Sequence, residues 1–251
     1  MSEEIYLVEK ENISGKRFSL FGEEAKHCFK VKRNRQNDLI LLTNGEGKEY
    51  QGKIKVVNRK TGSVIGEILE MREGPRELPV EIHLAFAAVK KRDLTFFIEK
   101  AAELGVRGFI PIKTERSLPS FKAGRFEKVA KKGMKTALGT FLPKFYPLIN
   151  FDSLIALLKD YSLALLAYEK EEERFLFDIP WNKGQKKVLL IVGPEGGFTD
   201  WEIERAKKEG VLTFSLGKRR LSSGTAVISA LSLIIEYLRT KNREEEVKRF
   251  E

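Results

Sequence analysis

From residue 79 onward, short continuous apolar runs alternate with segments of helical periodicity. The runs read PVEIHLAFAAV, GFIPI, SLALLAY, KVLLIV and LTFSL. Strands that are apolar on both faces are typical of a parallel sheet covered by helices on both sides, because both faces must then be buried. The pattern predicts an α/β domain over residues 74–251, which begins where the texture of the sequence changes at EGPREL.

The helical segments carry their own start and stop signals. In RDLTFFIEKAAELG, apolar residues recur at i, i+3, i+4 and i+7, so we expect a helix that Asp93 caps and Gly105 ends in a left-handed conformation. Further helices are predicted at about 122–138, 152–159, 200–209 and 225–241.

Residues 1–73 have a different pattern, in which short strand-like pieces are separated by turn signals. Asn44-Gly45 and Gly47 lie between two apolar runs, which is a strong hairpin signal, and SVIGEILE is another strand candidate. GEEAKHCFKVKR suggests one short helix or turn. Helices long enough to cover a parallel sheet are missing from this part of the sequence, which predicts a small β-barrel domain.

Charge and cysteine content narrow the class of partner. Lysine and arginine number 46 against 36 acidic residues, a net charge of +10 that favours an anionic partner such as nucleic acid. A merely lysine-rich surface is the alternative.

The single cysteine, Cys28, excludes an internal disulfide framework, and no zinc-ligand spacing occurs, so no metal is expected. No apolar run approaches the roughly 20 residues of a membrane span, so we expect a cytoplasmic protein without a membrane partner.

The stretch IVGPEGGFTDWE concentrates three glycines and a proline directly after a buried strand. Thr199 and Glu202 have the spacing of a capping box, so a helix is expected to follow. The pattern matches neither GxGxxG nor GxxxxGK[ST], so neither a dinucleotide nor a triphosphate is implied. Taken alone, the loop is equally consistent with a ligand-binding loop and with a tight turn.

A second loop favours the ligand-binding interpretation. SLGKRRLSSGTAVISAL also leaves a strand, passes through Gly217 and enters a helix, and it is longer than a simple connection requires. We expect the two loops to extend from adjacent strands and to face each other across a ligand-sized pocket.

Basic residues are concentrated in two segments. Residues 107–144 hold ten Lys/Arg against two Glu, and a helix there would carry an apolar stripe opposite a basic face. Residues 26–35 form a second basic run in the first domain. A solvated lysine face is the alternative to a surface that contacts RNA phosphates. The predicted RNA-contacting residues are Lys30, Arg33, Arg125, Lys128, Lys132 and Lys135, with Lys90 and Arg92 before the 93–105 helix.

Several dispersed motifs resemble one family over nearly the whole chain. They are AKHCFKVKRNRQND, TNGEGKEY, IEKAAELGVRGFIPIKTERS, IVGPEGGFTDWE and LGKRRLSSGTA, and their order and spacing match. The sequence resembles the RsmE-type methyltransferases of the SPOUT class, which methylate N3 of a uridine in 16S ribosomal RNA. The target in that family is uridine 1498 in the usual bacterial numbering.

The resemblance implies a PUA-like β-barrel over residues 1–73 and a methyltransferase domain over residues 74–251 that contains a deep trefoil knot. It also implies a homodimer acting on the small ribosomal subunit, with S-adenosylmethionine (AdoMet) as the methyl donor. The cofactor-binding residues that it implies are Leu166, Ala167, Gly193, Pro194, Glu195, Gly196, Gly197, Leu216, Gly217, Leu221, Thr225 and Ala226.

The chemistry requires that the N3 proton of uracil leave, but no histidine or paired carboxylate of the second domain stands out as a general base. Arg219 and Arg116 are the predicted catalytic residues, which would stabilise negative charge on the base or hold RNA phosphate, together with Lys90 and Arg92. Surface ion pairs with nearby glutamates are the alternative for each of them.

Two departures from the family pattern leave further hypotheses open. Ser222 and Gly224 stand where the family usually has arginine and glutamate, and KGMKTALGTFLPKFYP replaces an E-Q-[SC]-x-R element. A retargeted methyltransferase or a non-catalytic RNA-binding homologue is therefore the alternative function. A nicotinamide oxidoreductase is disfavoured because the GxGxxG motif and its ribose-binding acid are missing.

Overall fold

The computed structural model describes residues 4–88, 91–117, 121–181 and 185–247. The chain forms two compact units. One comprises Met1–Glu77 and Met134–Leu142, and the other comprises Leu78–Gly133 and Pro143–Glu251. Among the residues with assigned positions, no helix has the length and apolar character needed to cross a membrane.

The first unit is built on a six-stranded sheet. In chain order its strands are β1 (Ile5–Leu7), β2 (Ile13–Ser14), β3 (Arg17–Leu20), β4 (Leu39–Thr43), β5 (Lys48–Asn58) and β6 (Ser63–Glu73). Their spatial order is β1-β4-β5-β6-β3-β2, with β1 parallel to β4 and the other pairs antiparallel. A short helix, α1 (Gly22–Lys26), continues into a π-helical turn at His27–Val31.

This sheet curls around a single core. Tyr6 near one end of the strand order, Phe18 near the other and Ile54 from the middle all lie in one buried cluster. The predicted hairpin is confirmed, since β4 pairs with β5 through a turn in which Gly45 and Gly47 have φ of +75° and +98°. Only glycine adopts such angles freely, which explains why the sequence places two of them here.

The second unit contains a wholly parallel sheet, as predicted. Its strands are β7 (Glu81–Ala87), β8 (Val106–Lys113), β9 (Lys144–Phe145), β10 (Ile149–Asn150), β11 (Leu163–Ala167), β12 (Lys187–Val192) and β13 (Leu212–Phe214). The order is β10-β8-β7-β12-β11-β13, and β9 also pairs with β8. Within the described residues, the further α-helices are α2 (Lys91–Glu103), α3 (Gly124–Thr136), α4 (Phe151–Leu157), α5 (Asp200–Lys208) and α6 (Ser223–Val247).

Helices cover both faces of this sheet. Along β7, Leu84 and Phe86 point into a core shared with α2, α3 and α6, while Ala85 and Ala87 point into a second core shared with α4 and α5. Successive residues of a strand face opposite sides, so a strand buried on both sides must be apolar throughout. The predicted α/β class is therefore confirmed.

Two helix starts differ from the prediction. α2 begins at Lys91, so Asp93 lies in its first turn instead of capping it. An acidic residue in the first turn still interacts favourably with the helix dipole, which explains why an aspartate lies near this helix start without capping it. The predicted end is confirmed, because Gly105 has φ of +88° and its N–H donates to the Ala102 carbonyl. α6 begins at Ser223 and is longer than the predicted helix at 225–241.

The expected adjacency of the two loop-bearing strands is wrong. β12 leads into the first glycine loop and β13 into the second, but β11 lies between them and pairs with both. Local sequence cannot show this, because strand order is decided by which apolar surfaces pack together over the whole domain. Both loops therefore flank the carboxyl end of β11.

One buried histidine makes the stability of this unit depend on pH. His83 is 2% exposed, with Nδ1 2.7 Å from the Tyr161 hydroxyl and Nε2 2.6 Å from a Glu81 carboxylate oxygen. A neutral ring satisfies both contacts, by accepting from Tyr161 and donating to Glu81. Burial lowers the pKa of His83 although Glu81 opposes this shift.

The folded state resists protonation of His83. The contribution of this residue to the free energy of unfolding is therefore fully present above the ordinary histidine pKa, and it is lost as the pH falls below that value. We expect the free energy of unfolding to fall by up to about 1 kcal/mol between pH 6.5 and 5.5. Urea unfolding of the wild type and of a His83→Asn variant at both pH values measures the effect. The variant has no titrating group at this position, so its free energy of unfolding should change less between the two pH values. Identical slopes for the two proteins would contradict it.

Candidate functional site

A cavity opens at the carboxyl edge of β12, β11 and β13, with about 510 Å³ of empty space when the open solvent at its mouth is included. Open α/β sheets bind their ligands at this edge. The cavity is lined by Ala167, Tyr168, Glu169, Val192, Gly193, Pro194, Gly197, Leu216, Gly217, Arg219, Leu221, Ser223 and Ala226. The end of β11 and the loops after β12 and β13 thus each provide one wall.

The first wall is the glycine loop, which we define as residues 193–198. The Gly197 N–H donates to the Pro194 carbonyl at 2.9 Å, and Gly197 has φ of +70°, which favours glycine. At Gly193, an added Cβ would lie 2.8 Å from the ring of Phe198, a side chain that is itself buried. The glycines therefore allow a tight turn directly against the cavity.

The helix that follows the glycine loop is held by the predicted capping box. The Glu202 N–H donates to Thr199 Oγ1 at 3.3 Å, and the Thr199 N–H donates to Glu202 Oε2 at 2.9 Å. Glu202 is 2% exposed, and its other carboxylate oxygen accepts from the Glu115 N–H at 3.0 Å. One buried carboxylate thus fixes the end of the glycine loop to the segment after β8.

The second wall is the loop between β13 and α6. Gly217 has φ of +100° and its N–H donates to Ser215 Oγ at 3.2 Å. Ser222 caps α6, since its hydroxyl accepts from the Thr225 N–H at 3.3 Å. The Ser223 hydroxyl donates to the Gly193 carbonyl at 3.1 Å and so joins this wall to the start of the glycine loop.

The third wall comes from the end of β11. The Tyr168 N–H donates to the Phe214 carbonyl at 3.1 Å, which holds the chain beside β13 as it leaves the sheet. Burial raises the pKa of Tyr168, so its hydroxyl stays protonated at neutral pH. The Glu169 carboxylate lies against Gly197, at the position that a Cβ on that residue would need.

The cavity walls present both polar and apolar groups to a ligand. Polar and apolar surface contribute about equally to the lining, and the polar side chains are those of Tyr168, Glu169, Arg219 and Ser223. Backbone N–H and C=O groups of two glycine-bearing loops are also close to the cavity. Such a lining suits a ligand with a flat apolar part and a polar, charged remainder.

The structure brings together most of the cofactor-binding residues that the sequence predicts. Ala167, Gly193, Pro194, Gly197, Leu216, Gly217, Leu221 and Ala226 line the cavity, as does Arg219. Leu166 instead points into the core shared with α4 and α5, because alternate residues of β11 face opposite sides of the sheet. Glu195 and Gly196 of the loop after β12, and Thr225 in the first turn of α6, are exposed and do not line the cavity.

Sequence reasoning missed Tyr168, Glu169, Val192 and Ser223, which also line the cavity. Each lies within two residues of a predicted position, so a wider margin around the strand ends would have included them.

Arg116 and Arg219, the predicted catalytic pair, have different surroundings. Arg219 is exposed and lines the cavity. Arg116 lies outside it, and its guanidinium Nη1 donates to the Gly196 carbonyl at 2.9 Å. Lys90 lies outside the described residues, as does the side chain of Arg92.

The predicted basic face of α3 is only partly available. Arg125 and Lys128 are exposed, and Lys132 is exposed but lies 3.0 Å from a Glu99 carboxylate. Lys135 differs from the prediction, because its side chain is only 16% exposed and pairs with Glu24 at 2.8 Å. Its charge is compensated within the first unit, where the end of α3 belongs, and a helical spacing cannot reveal such a partner.

The other features of these basic segments agree with the sequence. The predicted apolar stripe of α3 is buried at Phe126, Ala130 and Met134. Lys30 and Arg33, on or just after the π-helical turn of the first unit, are both exposed.

Comparison with known families matches both parts of the chain. Residues 76–235 match the model of an RNA methyltransferase domain. Residues 20–65 match the model of an RNA methyltransferase PUA domain. The first match alone covers more than half of the 251 residues.

Curated relatives carry one common name. The chain is 29% identical over 232 residues to ribosomal RNA small subunit methyltransferase E of Bacillus subtilis, which covers 86% of this chain and 89% of the relative. It is 31% identical over 193 residues to the protein of the same name from Mesomycoplasma hyopneumoniae, which covers 74% and 83%.

Solved structures agree with these relatives. A ribosomal RNA small subunit methyltransferase E from Neisseria gonorrhoeae, bound to S-adenosyl methionine, superposes with a TM-score of 0.79 at 26% identity, covering 92% of this chain and 96% of that one. The Legionella pneumophila protein Lpg2936, in complex with its bound cofactor SAM, gives 0.78 at 30% identity, covering 91% and 95%. The chain therefore belongs to the family of RNA methyltransferases that includes ribosomal RNA small subunit methyltransferase E.

Proposed function

We propose that this protein is an AdoMet-dependent methyltransferase that modifies N3 of a uridine in 16S ribosomal RNA of the small subunit, at uridine 1498. The observation that carries the proposal is the cavity between the two glycine-bearing loops, at the edge of the sheet where a cofactor is expected. The names of the relatives and the cofactor bound in two similar structures support it.

The residues present fit AdoMet. The apolar part of the lining offers a slot of the kind that an adenine ring needs. It consists of Val192, Pro194, Leu216, Leu221 and Ala226. The Glu169 carboxylate can accept hydrogen bonds from ribose hydroxyls or pair with the ammonium group of the methionine end. When bound, the cofactor supplies a methyl group activated by a sulfonium centre.

The protein's own contribution is to orient the reactants and to stabilise charge. Alignment of the uridine with the methyl group supplies much of the rate. Loss of the N3 proton leaves negative charge on the uracil ring, and Arg219 in the cavity wall is the cation that we propose to stabilise it. We assign no general base; a water molecule held at the cavity mouth would serve to remove the proton.

RNA binding is assigned to residues 1–73, as a PUA-like domain, and to the exposed cations of α3. We expect an Arg125→Ala/Lys128→Ala variant to bind RNA more weakly, because each exposed cation that neutralises a phosphate releases counterions. The plot of log affinity against log salt should become shallower by about 1 for each phosphate that the variant leaves unneutralised. Filter binding over a series of salt concentrations measures this, and an unchanged slope would show that this face is only solvated.

Three further features follow from the family resemblance and remain proposals. The first is a trefoil knot in residues 74–251, for which the placement of β11 between β12 and β13 and the bond from Ser223 to Gly193 are supporting observations. Loop-crossing analysis of an experimental electron-density trace tests it.

The second is a cytoplasmic location, where the ribosomal subunit is found, and cell fractionation tests it.

The third feature is a homodimer. Phe96, Phe175 and Phe177 are each more than half exposed in the second unit, although large aromatic side chains are normally buried. We take them as candidate contact residues for a second copy of the chain. Sedimentation equilibrium should give twice the chain mass of 28.7 kDa, and a monomer at all concentrations would contradict the dimer.

Mass mapping of 16S RNA tests the proposed function directly. Small subunits from a strain that lacks the gene are incubated with the purified protein and AdoMet, and the RNA is digested and analysed. One added methyl group on the expected uridine supports the proposal. A methyl group elsewhere would indicate a changed target, and RNA binding without any methyl transfer would indicate a non-catalytic homologue.

A further inference from the structure

Two arginines hold the outer side of the glycine loop. Arg116 Nη1 donates to the Gly196 carbonyl at 2.9 Å, and Arg220 Nη2 donates to the neighbouring Glu195 carbonyl at 3.1 Å. A charged donor makes a stronger hydrogen bond to a carbonyl than a neutral donor does. Two successive carbonyls of one exposed turn are therefore each held by a guanidinium from another part of the chain.

The two arginines reach the loop from opposite sides. Arg116 follows β8 and Arg220 follows β13, and in the sheet order β8-β7-β12-β11-β13 each of these strands lies two positions from β12. The loop extends from β12, at the centre. The topology thus places one guanidinium on either side of it.

Other bonds fix the two ends of the loop, and the Gly197 N–H bond to the Pro194 carbonyl closes the turn between them from within. The Gly193 carbonyl accepts from the Ser223 hydroxyl at the start, and Thr199 and Glu202 form the capping box after the end. Glu195 and Gly196, between them, are exposed. The bonds from the two arginines are thus the contacts that hold this middle section from outside.

The bond from Arg220 also joins two walls of the cavity. Arg219 and Leu221, on either side of Arg220 in sequence, line the cavity from the second loop. Pro194 and Gly197, on either side of the Glu195–Gly196 pair, line it from the glycine loop. The bond therefore links the two loops between which a ligand would enter.

We propose that Arg116 and Arg220 are positioning residues that keep the glycine loop closed over the cofactor, and that Arg220 sets the rate at which the cofactor leaves. Arg116 then acts through the loop, a role different from the predicted one of holding RNA phosphate or stabilising negative charge on the base. This inference rests on the proposed function only in taking the ligand to be AdoMet or its product, S-adenosylhomocysteine.

The expected effects separate binding from chemistry. In Arg220→Ala, dissociation of S-adenosylhomocysteine should become about tenfold faster, because the variant lacks one charge-assisted bond between the walls. KM for AdoMet should rise, while the single-turnover rate at saturating AdoMet should stay within about twofold, because neither arginine reaches the reacting atoms. Arg220→Lys, which keeps one charged donor, should recover part of the loss.

Hydrogen exchange without any ligand provides the second measurement. In the ligand-free protein, peptides that cover residues 193–199 should exchange faster in Arg116→Ala and in Arg220→Ala than in the wild type, and fastest in the double variant. Peptides from the body of α5 should not change. Lys218→Ala is the matched control, since it removes an exposed cation from the same loop; its exchange and its dissociation rate should equal those of the wild type.

The outcomes distinguish failure of this inference from failure of the proposed function. If exchange in the loop and dissociation of S-adenosylhomocysteine are the same in Arg220→Ala, Lys218→Ala and the wild type, the positioning role is wrong. If the wild type binds neither AdoMet nor S-adenosylhomocysteine, the proposed function fails, and the exchange comparison alone still decides whether the arginines hold the loop. Faster dissociation without partial recovery in Arg220→Lys would also overturn the assignment of a charged hydrogen bond.

Discussion

Replacing Ala226 by phenylalanine is expected to abolish AdoMet binding. Ala226 lies in the first turns of α6 and lines the cavity beside Leu216 and Leu221. A phenyl ring at this position occupies space that the cofactor needs. The atoms around the cavity are too closely packed to move aside for the extra volume. We expect affinity to fall at least about 100-fold, which corresponds to about 2.7 kcal/mol.

Isothermal titration with AdoMet measures this effect, and Ala226→Ser is the matched control. Serine adds one small hydroxyl at the same position, so affinity should change by less than about threefold if bulk is the cause. Thermal unfolding of both variants checks that the domain still folds, which is expected because Ala226 is only half-buried. Unchanged AdoMet affinity in a folded Ala226→Phe protein would place the cofactor somewhere else.

Replacing Glu202 by alanine is expected to produce a large loss of stability. The carboxylate of Glu202 is buried, accepts from the backbone N–H groups of Thr199 and Glu115 and from the Thr199 hydroxyl, and has nothing to replace it in the variant. Loss of a helix cap and of a charged acceptor for buried donors should lower the free energy of unfolding by about 3 kcal/mol. Tm should fall by about 6–12 °C for a unit of this size.

Urea unfolding followed by circular dichroism checks this, with Glu204→Ala as the control on the same helix. Glu204 is exposed and pairs only loosely with Lys207 at 3.9 Å, so its removal should change stability by less than about 0.5 kcal/mol. Glu202→Gln keeps a neutral acceptor and should fall between the two. Equal stabilities for Glu202→Ala and Glu204→Ala would show that the buried carboxylate makes no net contribution.

Local pattern was sufficient for the longer strands of the second unit and for the hairpin of the first. The apolar runs became β7, β8, β11, β12 and β13, and the glycine turn at 44–47 joins β4 to β5, because strand and turn formation depend on neighbouring residues. The capping box at Thr199 and Glu202 was also predictable, since both partners lie within one helical turn.

Partners distant in sequence could not be predicted in this way. Lys135 fits a basic helix face by its spacing, but Glu24, which is 111 residues away, compensates its charge. The bond from Arg116 to the carbonyl of Gly196, 80 residues further along the chain, was likewise not visible in the sequence. In each case a long side chain is engaged by a group that only the folded chain brings near.

The sequence by itself determined the fold class, the two glycine-bearing loops and the family, because strand burial, turn geometry and helix capping are each encoded in a few consecutive residues. Tertiary structure alone decided that β11 separates the two loop-bearing strands, and that Tyr168 and Glu169 therefore complete the cavity between them. Strand order follows from how all the apolar faces of the domain pack at once, so no short segment can specify which loops meet across a ligand site.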